Sequence, residues 1–134
     1  MLRMRFMPCD FHPILLVLGN AADLARFADL LAGFARTGDA IDLERSGVFS
    51  EDTTVRLVEE TTPPGLWRDG TSGRRLIWRL TRDQATEFAR EVSKIADGHT
   101  LAGSATLECE VLNEIRIKVS LGEFEDEFLL GNAC

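Results

Sequence analysis

Two segments of the chain carry apolar residues at helical spacing. The first, 20–37, begins with Asn20 as an N-cap, and the second begins with the capping-box spacing of Thr81 and Gln84 and ends at Gly98. In both segments the apolar side chains fall on one stripe, which predicts two amphipathic helices with one buried face each. The stripes consist of Leu24, Phe27, Leu30, Leu31 and Phe34, and of Ala85, Phe88, Ala89, Val92, Ile95 and Ala96.

The remaining hydrophobic pattern is typical of strands. Residues 13–18 form a continuous apolar run, which favours a central strand covered on both faces. Residues 53–60 alternate between apolar and polar side chains, as in a half-exposed strand, and residues 66–80 resemble two strands joined by a turn. The alternation in 105–111 and 115–121 predicts a second hairpin near the end of the chain.

The register of this last hairpin can be derived from its pattern. Both apolar sets occupy odd positions, so the loop must contain an odd number of residues if the two sets are to share a face. A three-residue loop, 112–114, would pair Leu107 with Val119 and place Glu110 opposite Arg116 on the exposed face. We therefore predict this register.

These elements indicate an α+β fold. The arrangement we expect is a two-layer sandwich, in which two helices pack on one mostly antiparallel sheet. At 134 residues the chain fits a single domain, 1–134, with residues 1–10 as an N-terminal tail. The break in pattern near 61–65 suggests a boundary between two halves.

The two halves resemble each other. An offset of 61 residues superposes Asn20 on Thr81 and Phe27 on Phe88, so the chain could consist of duplicated β-α-β-β halves. Amphipathic helices align in this way without common ancestry as well. Both interpretations stay open at this point.

Charge and cysteine content restrict the class of protein. The chain has 15 Lys and Arg against 22 Asp and Glu, a net charge of −7 that repels phosphate backbones and disfavours nucleic acid as a partner. Three widely spaced cysteines are typical of a reducing cytoplasm rather than of a disulfide scaffold. The apolar run at 14–18 is too short for a signal peptide or a membrane span, so we expect a cytoplasmic protein without membrane contact.

Few residues carry the spacing of a catalytic or metal site. Cys9 and His12 could supply two metal ligands, but no second cluster of Cys and His completes a zinc site. Neither a nucleophile elbow nor a dinucleotide fingerprint is present. We therefore predict no catalytic residue and no cofactor, and the sequence favours a protein that is not an enzyme. No metal site is predicted either, but the sequence does not decide whether Cys9 and His12 bind a metal.

The segment 64–82 carries the best candidate for a binding surface. It contains five arginines and one aspartate, a local charge of +4 in an acidic chain, together with both tryptophans. Arginine and tryptophan are enriched at the energetic centres of protein interfaces. The candidate binding residues are Trp67, Arg68, Arg74, Arg75, Trp78 and Arg79.

The sequence thus favours a small acidic protein-interaction module. Its partner would be another protein or a second copy of this chain, which includes a homodimer. The alternative is a protein, or an enzyme, that binds an anionic or phosphorylated metabolite at the loop 70–75, where turn amides, hydroxyls and guanidinium groups meet. The partner, any substrate and the oligomeric state do not follow from the sequence.

Overall fold

The computed structural model of the chain describes residues 2–7, 13–59, 63–70, 74–98 and 103–121. Within these residues the helices and strands form two groups with the same order of elements. Their bounds are β1 Arg3–Met7, β2 Ile14–Gly19, α1 Ala21–Thr37, β3 Ile41–Asp42, β4 Thr54–Val58, β5 Gly65–Arg68, β6 Arg75–Arg79, α2 Arg82–Ala96, β7 Ser104–Leu107 and β8 Arg116–Leu121.

The strands form two four-stranded sheets. Sheet I has the order β1-β2-β8-β7, and sheet II has the order β3-β4-β6-β5. In each sheet the central pair is parallel, β2 with β8 and β4 with β6, and the flanking pairs are antiparallel. The predicted α+β class is confirmed, but the prediction of one mostly antiparallel sheet is wrong. The strands of the parallel pair in sheet II are about 20 residues apart in the chain, and those in sheet I about 100. A local sequence pattern does not show pairings between strands that are this far apart.

The two halves of the chain repeat the order β-β-α-β-β. Each element of the second half begins 61 to 63 residues after its counterpart in the first. The repeat therefore has one strand more than the predicted β-α-β-β unit, and residues 3–7, which we expected to belong to a tail, form that strand in the first half. Each sheet takes two strands from each half, so neither half contains a complete sheet.

Isolated backbone bridges connect one strand of each sheet to a residue outside the strands, a parallel bridge at Phe49 and an antiparallel bridge at Ile115. The amide of Met4 donates to the carbonyl of Phe49, and the amide of Phe49 donates to the carbonyl of Leu2, both at 2.9 Å. In the second half, the amide of Ile115 donates to the carbonyl of Leu66 at 2.9 Å. These contacts supply partners to the outer edges of β1 and β5, which would otherwise present unpaired backbone groups.

Both helices begin with the predicted caps. Asn20 accepts from the amide of Asp23 at 2.9 Å, and the Asp23 carboxylate accepts from the amide of Asn20 at 3.0 Å. Thr81 and Gln84 make the same reciprocal pair at 3.0 and 2.9 Å. Each box satisfies two backbone donors that the first turn of a helix leaves without a partner. Gly38 ends α1 in the left-handed conformation (φ 70°), which glycine adopts without a steric penalty.

The two helices pack on each other and against the inner faces of both sheets. The side chains between them form one continuous core cluster with contributions from both halves. At its centre Trp78 stacks between Phe27 and Phe88, with ring centroids 6.3 and 6.1 Å apart. This stack connects the inner face of sheet II to both helices.

The last hairpin forms in a different register from the predicted one. Leu107 pairs with Ile117, and Val119 pairs with Ala105, a shift of two residues that keeps the apolar faces together but lengthens the loop. Arg116 consequently forms its ion pair with Glu108, at 3.0 Å, rather than with Glu110. The two apolar sets thus share a face, as predicted, but the predicted three-residue loop is wrong.

The longer loop has a local cause. Strand β7 ends at Leu107, and Glu110 and Asn113 both adopt positive φ, 59° and 69°, so the backbone is not extended at these two positions. The Glu114 carboxylate accepts the amides of Cys109 and Val111 at 3.0 Å and thereby satisfies donors that the sheet no longer pairs.

Candidate functional site on the open face of sheet II

Successive side chains of strand β6 point alternately into the core and away from it. Leu76 and Trp78 are 1 % exposed and belong to the core. Arg75, Ile77 and Arg79 alternate with them and therefore point to the opposite side of sheet II. Two arginines with an apolar residue between them thus follow one another along the outer side of this strand.

The neighbouring strands extend this surface on both sides. Trp67 of β5 and Arg56 of β4 both pair with Ile77, one on each side of it. Val58 of β4 pairs with Arg79. Residues that pair across strands share a face of the sheet. We call this surface the open face of sheet II and define it by Arg56, Val58, Trp67, Arg75, Ile77 and Arg79.

The apolar members of the open face lie outside the core. Val58, Trp67 and Ile77 are half-buried, and none of them belongs to the core cluster. The indole N–H of Trp67 donates to the carbonyl of Pro64 at 3.0 Å, which fixes the orientation of the ring. A half-exposed aromatic ring beside an isoleucine provides apolar area that a partner can bury.

The charged members are arranged around this apolar centre. The Arg56 guanidinium donates to the Asp42 carboxylate at 3.2 Å, so its position is fixed from the side of β3. Among the described residues, no carboxylate lies within ion-pair distance of the exposed Arg75. Asp69 lies across from Arg75, because its amide donates to the Arg75 carbonyl at 2.7 Å.

The structure separates the six residues that the sequence suggested. Trp67, Arg75 and Arg79 lie on the open face. Trp78 is buried in the core, and Arg74 forms an ion pair with Asp52. The Arg68 guanidinium lies 5.4 Å from the centre of the Phe6 ring, a cation–π contact between β5 of sheet II and β1 of sheet I.

Arg56, Val58 and Ile77 also belong to this surface, although the sequence prediction did not include them. Arg56 and Val58 alternate with the buried residues of their strand, and this signal was present in the predicted half-exposed strand. The alternation does not show, however, which strand lies beside β4 in the sheet. Only the parallel pairing with β6 brings these residues beside the Arg and Trp hairpin.

The alternative site at loop 70–75 rests in part on residues 71–73, which lie outside the described residues. Of its two arginines, Arg74 is ion-paired with Asp52, and Arg75 extends over the open face. A phosphate at this loop would have to compete with the Asp52 carboxylate for Arg74. The described part of the loop therefore favours the anionic site less than the sheet surface.

Thiol and metal chemistry have little support in the described part of the chain. Cys9 and His12 lie outside the described residues, and within those residues no three metal-ligating side chains form a cluster. Burial, together with the negative charge of Glu114, raises the pKa of the half-buried Cys109 thiol to about 11. At neutral pH this thiol is protonated, which is the unreactive form.

A pocket of about 180 Å³ lies near the start of α1. It is smaller than the roughly 300–1,000 Å³ of typical ligand sites. Burial raises the pKa of Asp23, which lines it, but the hydrogen bond from the Asn20 amide and the charge of Arg26 contribute to a net lowering. This carboxylate is therefore ionised at neutral pH, and it already serves as part of the helix cap.

The chain matches no protein-family model, and no similar curated protein or solved structure was found. Within the described residues, neither helix is both long and apolar enough to cross a membrane.

Proposed function

We propose that this chain is a non-catalytic protein-interaction module and that the open face of sheet II is its binding surface. The observation that carries the proposal is the position of Trp67. Its half-buried ring, oriented by the hydrogen bond to Pro64, lies beside Ile77 on the side of sheet II that faces away from the core. Arg75 and Arg79 follow on either side of Ile77 along β6. Tryptophan and arginine dominate the binding energy of many interfaces. An apolar centre with charged groups around it is also the usual anatomy of such a surface.

Charge favours a different protein over a second copy at this surface. If two copies faced each other through the open face, the arginines of one would approach those of the other, which opposes association. An acidic polypeptide meets complementary charge instead. Nucleic acid is less favoured, because the whole chain carries a net charge of −7 and the open face presents a single aromatic ring.

The test compares two double variants. Trp67→Ala with Arg75→Ala removes the apolar centre and one arginine from the open face. Phe49→Ala with Arg90→Ala removes an exposed aromatic ring and a surface arginine elsewhere, so both double variants lose one aromatic ring and one positive charge. The probe is an immobilised library of random acidic 11-residue peptides.

We expect the first double variant to bind the peptides that the wild type selects at least tenfold more weakly than the wild type does. The second double variant should bind them with the affinity of the wild type. Circular dichroism of both variants checks that the fold is intact. Equal binding by both double variants would contradict the assignment of the surface. Sedimentation of the free protein at increasing concentration shows whether the chain self-associates, so that a second copy would compete with a peptide for the open face.

A further inference from the structure

This inference rests on the proposed function and concerns the regulation of the same surface. We propose that the acidic segment 122–134 of this chain binds the open face of sheet II and competes there with an acidic partner. The segment itself lies outside the described residues. Its composition, its length and the position of Leu121, where β8 ends, support the proposal.

The composition of the segment complements that of the open face. Its side chains carry four negative charges and no positive one, together with four large apolar groups. The open face presents the apolar pair Trp67 and Ile77 beside the positive charge of Arg75. Opposite charges around an apolar contact favour association. The residues of the segment concerned are Glu123, Glu125, Asp126 and Glu127, and Phe124, Phe128, Leu129 and Leu130.

Arg75 is the charged group of the open face that such a segment would engage. It is exposed, and among the described residues no carboxylate lies within ion-pair distance of its guanidinium. The Arg56 guanidinium, by contrast, already donates to the Asp42 carboxylate at 3.2 Å. A carboxylate that approaches Arg75 would therefore gain an ion pair without displacing one of the ion pairs within the described part of the chain.

The segment is long enough to reach this face from the end of β8. The amide of Ile115 donates to the carbonyl of Leu66, the residue before Trp67, at 2.9 Å. Strand β8 then runs from Arg116 to Leu121. Six residues at about 3.3 Å each, one strand spacing of about 5 Å and one further residue place Leu121 within about 30 Å of Trp67. The thirteen residues 122–134 span up to about 43 Å when extended, so the contact is within their reach.

Attachment to the same chain favours the segment over a separate peptide of the same sequence. A covalent connection between a site and its ligand produces effective concentrations in the millimolar range. A contact that is weak between separate molecules is therefore largely formed within one chain. A partner has to displace the segment, so the open face would select partners that bind it more tightly than segment 122–134 does.

The experiment compares two double variants of the full chain. Glu125→Gln with Glu127→Gln removes two charges from the segment. Glu51→Gln with Glu110→Gln removes two charges from exposed positions elsewhere, so both variants change the net charge of −7 by the same amount. The probe is a fluorophore-labelled synthetic peptide of residues 122–134 in reducing buffer, and fluorescence anisotropy measures its affinity.

We expect the peptide to bind the variant with the neutralised segment about threefold more tightly than it binds the wild type, because the altered segment competes less well. The control double variant should bind the peptide with the affinity of the wild type. Adding Arg75→Gln to the variant with the neutralised segment should weaken binding at least threefold. Adding Arg90→Gln, a change on the surface of α2, should leave the affinity unchanged.

A spin label on Cys134 tests whether the contact forms within one chain. Cys9→Ser with Cys109→Ala leaves Cys134 as the single thiol for the label. We expect the nitroxide to broaden the NMR signal of the Trp67 indole when each chain carries both the spin label and nitrogen-15. A mixture of spin-labelled chains and separate nitrogen-15 chains should show no broadening. Broadening in the mixture would mean that the segment binds a second copy and would overturn the proposal.

The outcomes separate this inference from the proposed function. Equal affinity of the peptide for the two double variants would overturn the competition by segment 122–134. The proposed surface would remain in place if the library peptides still bound the wild type and not the Trp67→Ala, Arg75→Ala variant. Failure of every acidic peptide, that of 122–134 included, to bind any of these chains would overturn both.

Discussion

The two sheets have equivalent architectures but different outer faces. At positions 61 residues apart, β2 presents Ile14, Leu16 and Leu18 on its outer side, whereas β6 presents Arg75, Ile77 and Arg79. Leu16 and Leu18 are 8 % and 2 % exposed and form a small apolar cluster of their own with Met7. The equivalent positions of β6 are half-buried or exposed.

The comparison shows which features the repeated architecture requires. The inner sides of both strands are apolar and buried, because both face the same helix-containing core. The outer sides are free to differ. That of β2 is buried, although Arg116 and Lys118 of the neighbouring β8 are exposed, whereas β6 carries two arginines beside the half-buried Trp67 ring of β5. An outer face that stays accessible is the one that can bind a partner, which is why we place the proposed function on sheet II.

The largest expected effect distinguishes the inner from the outer side of sheet II. Trp78→Ala removes the ring that stacks between both helices and should lower the free energy of unfolding by about 3–5 kcal/mol. Trp67→Ala removes a half-buried ring on the open face and should cost about 1 kcal/mol. Urea denaturation followed by circular dichroism measures both. Similar losses in the two variants would break the distinction between core and surface tryptophans.

A smaller effect should distinguish the two outer faces. Leu16→Ala truncates a buried side chain and should cost about 2–3 kcal/mol, whereas Ile77→Ala at the equivalent position of sheet II should cost about 1 kcal/mol. The same denaturation experiment applies, and the two variants are each other's matched control. If Ile77→Ala proved as costly as Leu16→Ala, the outer face of sheet II would be buried as well.

The smallest effect concerns the caps of the two helices. Their geometry is alike, but the cap of α1 contains an ionisable side chain, Asp23, and the cap of α2 does not. The pKa of Asp23 is lowered in the folded chain, so its ionised form contributes stability above the unfolded pKa of about 3.9, and this contribution is lost as the pH falls through the lower folded value. Asp23→Asn should therefore cost about 0.5 kcal/mol at pH 7 and less at pH 3.

Gln84, the counterpart of Asp23 in α2, does not titrate. The cost of Gln84→Ala, measured by the same denaturation series, should thus remain constant between pH 7 and pH 3. A cost of Asp23→Asn that does not narrow at low pH would contradict the role of the ionised carboxylate.

The parts of the fold that depend on neighbouring residues could be predicted from the sequence. The caps at Asn20 and Thr81 and the hairpin at 66–80 follow from local hydrogen bonding and alternation, and the structure contains them. The two sheets could not be predicted in this way, because the parallel pairs join distant strands. The last hairpin deviated for a third reason. Side-chain capping by Glu114 stabilises a longer loop than the face pattern requires.

The candidate site was predictable to a similar extent. The Arg and Trp enrichment located the hairpin, but composition alone did not assign its side chains to a face. The alternation of Trp78 with the arginines of β6 would have placed it in the core, because it shares its parity with Leu76 and Leu80. The contribution of Arg56 depends on the pairing of β4 with β6, which required the structure.

The central claim is that an acidic polypeptide binds the open face of sheet II. The most direct test is a two-dimensional NMR titration of the isotopically labelled chain with an acidic peptide that the wild type selects from the immobilised library. We predict that the amide and indole shifts change along β4, β5 and β6, with the Trp67 indole among the largest, and that β2 and β8 of sheet I remain unaffected. Shift changes that centre on sheet I, or none at saturating peptide, would contradict the account.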